Sequence, residues 1–485
     1  MSETKLRNFK IYNTDGRGLQ DFVPIDGDTI RYYTCGPTVY NFAHIGNLRT
    51  YISEDIIRRA FEAGGYTVKH VQNVTDVGHL ESDGDDGDDK MSKAAKREKK
   101  SPWEIARYYE DVFYSDCDSL ALLRPTVSCR ATDHIEHMIA MVSKLEQNGL
   151  AYVSEGNVYF DISKFPAYGK MAGLKLDQLE AGSRIQVDDH KRNPHDFVLW
   201  FSRSKFANQI MQWDSPWGRG FPGWHIECSA MATEYLGEEI DIHMGGIDHI
   251  PVHHTNEIAQ AEGSTGKPWV RFWMHCNFLV VKTDEDEDSN KMSKSTGDFL
   301  RMQTVLDNGY SPIHYRFFCL GAHYRSELKF SWSNLESAKR SFETLKNMVV
   351  GWKIETAKLG KKAKTLGAFD EHTEHYKEKF WQAMCDDFNA PKALGVVWEF
   401  ARDQSIHKAQ RLNLILELDK VLGLGAEDFK RPEISDDLKS LVDARESARA
   451  NKEWDKADEL RKQCATQGLL LMDTADGTDW YTSTD

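Results

Sequence analysis

A strand–helix–strand pattern near the amino end constrains the fold of this chain more than any other feature. Residues 29–35, TIRYYTC, are rich in aromatic and β-branched side chains and predict a strand. Apolar residues then recur every four positions from Leu48 to Ala60, and Gly64 follows, which predicts an amphipathic helix and its end. Residues 66–76, YTVKHVQNVTD, predict the next strand. Short links between these elements predict a right-handed unit with parallel strands.

The predicted helix begins at a short polar segment that is suited to phosphate. His44 and Asn47 lie one turn apart and can both donate hydrogen bonds, and Gly46 lets a ligand approach the backbone. The first N–H groups of a helix also attract anions. A histidine at a helix start is more often a surface or capping residue, so the segment alone is weak support for a phosphate site.

Four residues from distant segments form a candidate metal site. Cys35 ends the first strand, Cys228 lies in a predicted helix, and His253 and Glu257 are four residues apart on another. Two thiolates, an imidazole and a carboxylate suit Zn²⁺. His254 is an alternative to His253, although the four-residue spacing to Glu257 favours His253. Either cysteine alone could equally be a small buried side chain.

A glycine pair follows a predicted short strand within residues 241–249. Gly245 and Gly246 would let a nucleotide approach the backbone, and Asp248 could bond a ribose hydroxyl. An ordinary glycine turn explains the same pattern equally well.

Composition and length bear on the number of domains, the compartment and the absence of a predicted membrane span. The 485 residues predict two to four domains, and the eight cysteines form no close pairs, which argues against a disulfide framework and favours a reducing cytosol. No stretch approaches the roughly 18 apolar residues of a membrane span. The net charge is −15, yet residues 90–100, KMSKAAKREKK, are strongly basic and are interpreted as a solvated surface.

Ordered motifs along nearly the whole chain resemble the cysteinyl-tRNA synthetases, a family of class I aminoacyl-tRNA synthetases. The matching stretches are YTCGPTVYNFAHIGN, KRNPHDFVLW, PGWHIECSAMA, HHTNEIAQAE, NKMSKSTGDF, HYRSELKFS and DDFNAPKALG. The resemblance implies an α/β fold with a Rossmann-like parallel-sheet catalytic domain that an insertion splits, followed by a helical bundle and a small C-terminal domain. The expected divisions are residues 1–130 and 220–260 for the catalytic halves, 131–219 for an acceptor-end insertion, 261–330 for a stem-contact region, 331–420 for the bundle and 421–485 for an anticodon-binding domain.

The tetrapeptide Lys-Met-Ser-Lys occurs twice, at 90–93 and at 291–294. The resemblance implies that the second copy is the mobile signature loop, with Lys291, Ser293 and Lys294 at the ATP phosphates. The first copy is interpreted as a coincidence within an inserted loop. His44 and Asn47 would hold phosphate from the other side.

The resemblance also implies substrates, cofactors and partners. Thr75 and Trp224 match positions that line the amino-acid pocket, although core packing explains both as well. The expected ligands are ATP with Mg²⁺, L-cysteine, the cognate tRNA and one Zn²⁺ that selects the thiol, in a cytoplasmic protein without a membrane partner. A monomer is favoured. Trp454 and Trp480 are candidates for stacking on anticodon bases, although burial is the more common fate of a tryptophan.

Two alternatives stay open at this point. One is a ligase that joins cysteine to an amino sugar, which shares the catalytic domain but lacks the helical C-terminal third. The other is a non-catalytic relative that senses cysteine or binds tRNA.

Overall fold

The computed structural model describes residues 6–78, 90–174, 190–202, 210–281, 290–291, 300–431, 433–474 and 477–482. They form two structural units. The first comprises Met1–Ser331 and Ala383–Pro391, and the second comprises Trp332–Gln382 and Lys392–Asp485.

The first unit is a mixed α/β structure. Its strands are β1 (Lys10–Asn13), β2 (Gly18–Asp21), β3 (Thr29–Thr34), β4 (Thr67–Val74), β5 (Val127–Arg130), β6 (Ala151–Ser154), β7 (Asn157–Phe160), β8 (Phe197–Phe201), β9 (Phe221–Pro222), β10 (Ile240–Gly246), β11 (Val270–Cys276), β12 (Leu279–Val281), β13 (Asn290–Lys291) and β14 (Leu328–Phe330). Its helices are α1 (Ile45–Ala63), α2 (Lys90–Glu98), α3 (Pro102–Ser119), α4 (Ile135–Gln147), α5 (Trp224–Leu236), α6 (His253–Thr265), α7 (Met302–Asp307) and α8 (Pro312–Leu320).

A five-stranded parallel sheet forms the centre of this unit, in the order β11-β10-β3-β4-β5. The chain runs outward from β3 to β5 and then returns to place β10 beside β3. The strand order therefore reverses between β3 and β10, and such a reversal leaves a crevice at the carboxyl ends of the strands where ligands bind in open α/β sheets.

The predicted strand–helix–strand unit is confirmed. Strands β3 and β4 pair in parallel with Thr29 opposite Thr67, and α1 connects them. The buried face of α1 includes Leu48, Ile52 and Ile56, as the four-residue spacing predicts. Gly64 caps the end of the helix.

Three smaller sheets accompany the central one in the described part of this unit, and the smallest is the antiparallel pair β1–β2. Strands β6 to β9 form an antiparallel sheet, and β8 is buried along its whole length. Strands β6, β7 and β8 lie within the segment predicted as an insertion, residues 131–219, whereas β9 follows it. Strand β12 lies between β13 and β14. The predicted domain boundaries stay predictions, since two structural units do not resolve six divisions.

One expectation is wrong. The first Lys-Met-Ser-Lys copy does not lie in a loop, because Lys90–Glu98 form helix α2. Its apolar residues explain this, since Met91, Ala94 and Ala95 share one face and are buried against α3 and Val39.

The second unit is helical and ends in a hairpin. Its elements are α9 (Trp332–Lys358), α10 (Ala363–Leu366), α11 (Glu371–Cys385), α12 (Ala390–Arg402), α13 (Lys408–Leu422), α14 (Asp436–Ala450), α15 (Trp454–Thr466), β15 (Leu469–Thr474) and β16 (Gly477–Thr482). Helix α11 ends, and helix α12 begins, within Ala383–Pro391, which belongs to the first unit. Trp454 is 58% exposed at the start of α15, contrary to the expectation of burial, whereas Trp480 packs against the small core around Val442 and Cys464.

Among the described helices, none combines the length and the apolar character that a membrane crossing requires.

Candidate active site and metal centre

A cavity of about 350 Å³ opens where the strand order reverses. It is lined by residues that end or follow four neighbouring parallel strands: Cys35 after β3, Thr75 after β4, Gly246 at the end of β10 and Cys276 at the end of β11. The segment 36–44 and the first turn of α1 form another wall. The cavity therefore lies where the crevice of an open α/β sheet binds its ligand.

The first turn of α1 is held by a reciprocal capping box. The backbone N–H of Asn47 donates to Nδ1 of His44 over 3.0 Å, and the backbone N–H of His44 donates to Oδ1 of Asn47 over 3.3 Å. Because Nδ1 accepts, Nε2 carries the proton in a neutral ring. A Cβ on Gly46 would lie 3.0 Å from the same Nδ1, so a side chain there would press on the cap. All three residues line the cavity.

The structure brings together the four candidate ligands, Cys35, Cys228, His253 and Glu257. One donor atom from each lies within 4.8 Å of all the others, and all four side chains are buried. Strand β3 positions the first, α5 the second and α6 the last two. Two sulfurs, one nitrogen and one oxygen at these separations fit a tetrahedral ion with bonds of about 2.0–2.3 Å. The group could hold a metal ion.

A second set of four donors shares two members with the first. Cys35, His243, His254 and Glu257 also lie within 4.8 Å of one another. From this set only Cys35 lines the cavity, whereas Cys35, Cys228 and His253 of the first set all do. The first set therefore faces the cavity with three of its four members, and the second set with one.

Three further histidines, His225, His243 and His254, form hydrogen-bond contacts with members of the first set and orient them. His243 Nε2 lies 2.9 Å from Oε2 of Glu257, and His225 Nδ1 lies 2.9 Å from Nδ1 of His253. His254 Nε2 lies 3.4 Å from the Cys35 sulfur, and its Nδ1 lies 2.8 Å from Nε2 of His275. Hydrogen-bonded partners of this kind hold ligands in place at metal centres.

The surroundings favour the ionised form of two of the four ligands, Cys228 and Glu257. A hydrogen bond from the Cys35 thiol lowers the pKa of Cys228 to about 6. Burial raises the pKa of Glu257, but His243 and His253 outweigh it and bring that pKa down to about 2. Burial raises the pKa of Cys35 well above its ordinary value. A thiolate and a carboxylate are the forms that bind a divalent cation.

The glycine segment only partly faces the cavity. Gly246 and Asp248 line it, together with His249. Gly245 is buried, and a Cβ there would lie 2.7 Å from Nδ1 of His249, so this glycine makes room for a histidine ring. Contact of Gly245, Gly246 and Asp248 with ATP stays a prediction.

The two predicted amino-acid-pocket residues both line the cavity. Thr75 is buried and donates to the Glu227 carboxylate over 2.9 Å. The Trp224 ring lies 5.0 Å from the ring of His253, beside the metal-ligand group. Contact of Thr75 and Trp224 with the amino acid stays a prediction.

The signature lysine loop is described only at its start. The backbone of Lys291 pairs with Val280 in the β12–β13 ladder. Ser293 and Lys294 lie outside the described residues, so their predicted contacts with ATP stay predictions.

The sequence analysis did not predict a role for Arg49 or for the histidines that hydrogen-bond to the metal-ligand group. His243 lies two residues before Gly245 on the same strand, so both residues lie on the same face of the sheet. That shared face could have pointed to His243. Arg49 had no local signal, because its acceptors are backbone carbonyls far along the chain.

Comparison with known proteins agrees with this geometry. Residues 21–340 match the family described as tRNA synthetases class I (C) catalytic domain, residues 379–427 match the DALR domain, and residues 431–480 match the Cysteinyl-tRNA ligase anticodon binding domain. Two methionyl-tRNA synthetase structures from Mycobacterium tuberculosis cover 82% and 83% of this chain, and 93% of their own, with TM-scores of 0.55 and 0.56. At 15% and 14% identity they support the fold alone.

Curated relatives extend the match to the full length. The Cysteine--tRNA ligase of Treponema denticola is 45% identical over 98% of this chain and 99% of its own. Cysteine--tRNA ligase 1 of Burkholderia lata is 43% identical over 96% and 95%. The class I synthetase fold, its active-site cavity and these matches together make the chain a member of the cysteine–tRNA ligase family.

Proposed function

We propose that this chain attaches L-cysteine to its cognate tRNA in two ATP-dependent steps. One observation carries the proposal: a buried group with two cysteine sulfurs opens into the same cavity as the capped first turn of α1. The group suits a sulfur-containing substrate, and the helix start suits a phosphate. Family membership supports the same reaction.

In the first step the cysteine carboxylate attacks the α-phosphorus of ATP, which gives cysteinyl-adenylate and releases pyrophosphate. The carboxylate is already ionised at neutral pH, so no general base is required. Catalysis then consists of positioning and charge stabilisation, with Mg²⁺ on the phosphates. We assign one side of the phosphates to His44 and Asn47 and the other to Lys291 and Lys294.

In the second step a ribose hydroxyl of the terminal tRNA adenosine attacks the carbonyl carbon of the adenylate. An ester forms, and AMP leaves. Class I membership points to the 2′-hydroxyl. The cavity must therefore admit the end of an RNA strand as well as ATP and cysteine.

Selection of cysteine over serine is the chemical problem of this site. Shape alone distinguishes substrates that differ by one small group by only about 1–3 kcal/mol. Zn²⁺ held by Cys35, Cys228, His253 and Glu257 would bind the substrate sulfur as a thiolate, a far better ligand there than the serine hydroxyl. Thr75 and Trp224 would then position the rest of the amino acid.

Full-length similarity favours this function over the two alternatives. The amino-sugar ligase lacks the C-terminal third, whereas residues 379–480 match domains of the tRNA-charging family. A non-catalytic relative would have no need for a cavity that retains His44 and the metal-ligand group. A cytoplasmic monomer stays a prediction, and its monomeric state is checked by sedimentation.

Substitution of one metal ligand tests the proposal. We expect Cys228→Ser to lose bound zinc and to lower cysteine-dependent ATP–pyrophosphate exchange by at least about 100-fold, because the oxygen ligand is weaker. Cys319→Ser makes the same change at a buried cysteine in α8 that is outside the group, and it should keep metal and activity.

Three results would contradict different parts of the proposal. A metal-replete, active Cys228→Ser enzyme would refute the ligand assignment. A wild-type enzyme that contains no stoichiometric zinc yet rejects serine would refute selection by the metal. A wild-type enzyme that forms adenylate but charges no tRNA would refute the function itself.

A further inference from the structure

Helix α2 has one buried face and one strongly basic face. Met91, Ala94 and Ala95 pack against α3 and the cavity-wall residue Val39. The opposite side and the turn after the helix carry five exposed cations, Lys93, Lys96, Arg97, Lys99 and Lys100. We refer to these five as the basic face. They stand within eight consecutive residues of a chain whose net charge is −15.

Nearby carboxylates neutralise only part of this charge. Arg97 lies 2.8 Å from Glu98, and Lys100 lies 3.8 Å from the same carboxylate. The neighbouring Glu104 is engaged in the capping box of α3 with Ser101. Lys93 is engaged in an interaction of its own, so the positive excess in the described part of the chain rests on Lys96, Arg97, Lys99 and Lys100 against Glu98. Such an excess attracts polyanions.

Aromatic rings connect the basic face to the cavity. Trp103 is 44% exposed and Tyr108 is 42% exposed, and the ammonium of Lys100 lies 4.6 Å from the centre of the Tyr108 ring. The Tyr108 ring lies 6.3 Å from that of Phe42, which in turn lies 5.0 Å from Tyr109. Phe42 and Tyr109 line the cavity.

The chemistry of this path fits unpaired nucleic acid. Cations that follow a backbone, together with aromatic side chains on which bases stack, are the two components of single-strand binding. A duplex would use the cations but not the rings, because its bases are already stacked. The path also leads to the cavity, which the last nucleotide of the RNA must enter if the proposed function holds.

We propose that the basic face, with Trp103 and Tyr108, binds the unpaired 3′ end of the tRNA and guides it into the cavity. This inference rests on the proposed function and adds a binding surface to it. The first Lys-Met-Ser-Lys copy then acts as part of an RNA-binding helix and not as a second ATP loop.

A charge-neutralising variant separates tRNA binding from adenylation. We expect Lys96→Gln/Lys99→Gln/Lys100→Gln to raise the KM for tRNA by about tenfold. The slope of the logarithm of the tRNA-binding constant against the logarithm of the salt concentration should become shallower by about 0.7 for each cation removed. Cysteine-dependent ATP–pyrophosphate exchange without tRNA should not change, since none of the three lines the cavity.

A matched control removes the same charge elsewhere. Lys10, Lys69 and Lys267 are exposed lysines of the same unit, and none lines the cavity. Their triple glutamine variant should keep the wild-type KM for tRNA. An equal rise in both variants would mean that only net charge matters and would overturn the proposal.

Trp103→Ala tests the stacking component. In wild type, unlabelled tRNA that keeps its unpaired 3′ nucleotides should compete with labelled tRNA for charging more strongly than unlabelled tRNA from which these nucleotides have been removed. We expect Trp103→Ala to reduce this difference at least about threefold, because base stacking on an aromatic ring is lost. An unchanged difference would show that the surface does not contact unpaired bases.

Two further results would overturn the inference while leaving the proposed function intact. One is a triple variant that charges tRNA with wild-type KM and salt dependence. The other is a triple variant whose only defect is a lower thermal stability, which would mean that these lysines pair within the protein. Failure of the proposed function would differ from both, because wild type itself would then charge no tRNA.

Discussion

Arg49 illustrates how one buried residue can organise the site. It is 1% exposed, and no described carboxylate pairs with its guanidinium. It donates instead to the carbonyls of Asn277, Phe278, His323 and Ser326, with Nη1 lying 2.9 Å and 2.5 Å from the first two. Asn277 and Phe278 line the cavity and lead into β12. Arg49 thus ties α1 to the strand that precedes the signature lysine loop.

We expect Arg49→Met to lower the free energy of unfolding by about 3 kcal/mol, because several buried carbonyls lose their donor. The KM for ATP should rise as the cavity wall loosens. Urea unfolding and ATP–pyrophosphate exchange measure the two effects.

Glu62→Gln in the same helix is the control. Its surface ion pair with Arg58 should contribute under about 1 kcal/mol. An Arg49→Met protein as stable as wild type would contradict the structural role given to the guanidinium.

At the scale of elements, the two Lys-Met-Ser-Lys copies differ in their surroundings. The first begins helix α2, whose Met91 is 1% exposed and packs in a small core with Val74 and Ile105. The second begins at the edge strand β13, which pairs only with β12 among the described strands. The first copy is thus held in a packed core, whereas the second begins in a strand at the edge of its sheet.

We therefore expect Lys294→Ala to slow adenylate formation by at least about tenfold with little change in cysteine affinity, because the lysine would act chiefly in the transition state. Single-turnover adenylation measures the rate. Lys93→Ala is the counterpart at the same position of the other copy, and it should leave adenylation unchanged. A comparable loss at Lys93 would mean that the first copy serves ATP.

At the scale of the whole molecule, the metal-ligand group lies entirely within the first unit. The second unit has its own interior, which includes the buried stripe of Leu335, Phe342 and Val349 on α9. Metal binding should therefore stabilise the first unit selectively.

Removal of metal by a chelator should lower the transition of the first unit by about 5 °C or more and leave that of the second unchanged. Hydrogen exchange assigns the transitions, since amides of α5 and α6 should exchange faster while those of α13 do not. Equal acceleration in both units would show that the metal supports the whole chain.

Local sequence predicted those elements whose pattern repeats within a few residues. The four-residue spacing in α1, the aromatic and β-branched run of β3 and the glycines that end α1 were sufficient to place these elements. Helix α2 was missed because its apolar positions, Met91, Ala94 and Ala95, are few and lie among many cations.

The sequence by itself determined which side chains could serve as metal ligands and that a helix start follows the first strand, because both depend on residue type and short spacing. Only the tertiary structure decided that Cys35, Cys228, His253 and Glu257 come together, three of them at the cavity, and that Arg49 reaches carbonyls more than 200 positions away. The order of strands in the sheet brings these distant residues close together. Strand order follows from burial of the whole core, which no local stretch of residues encodes.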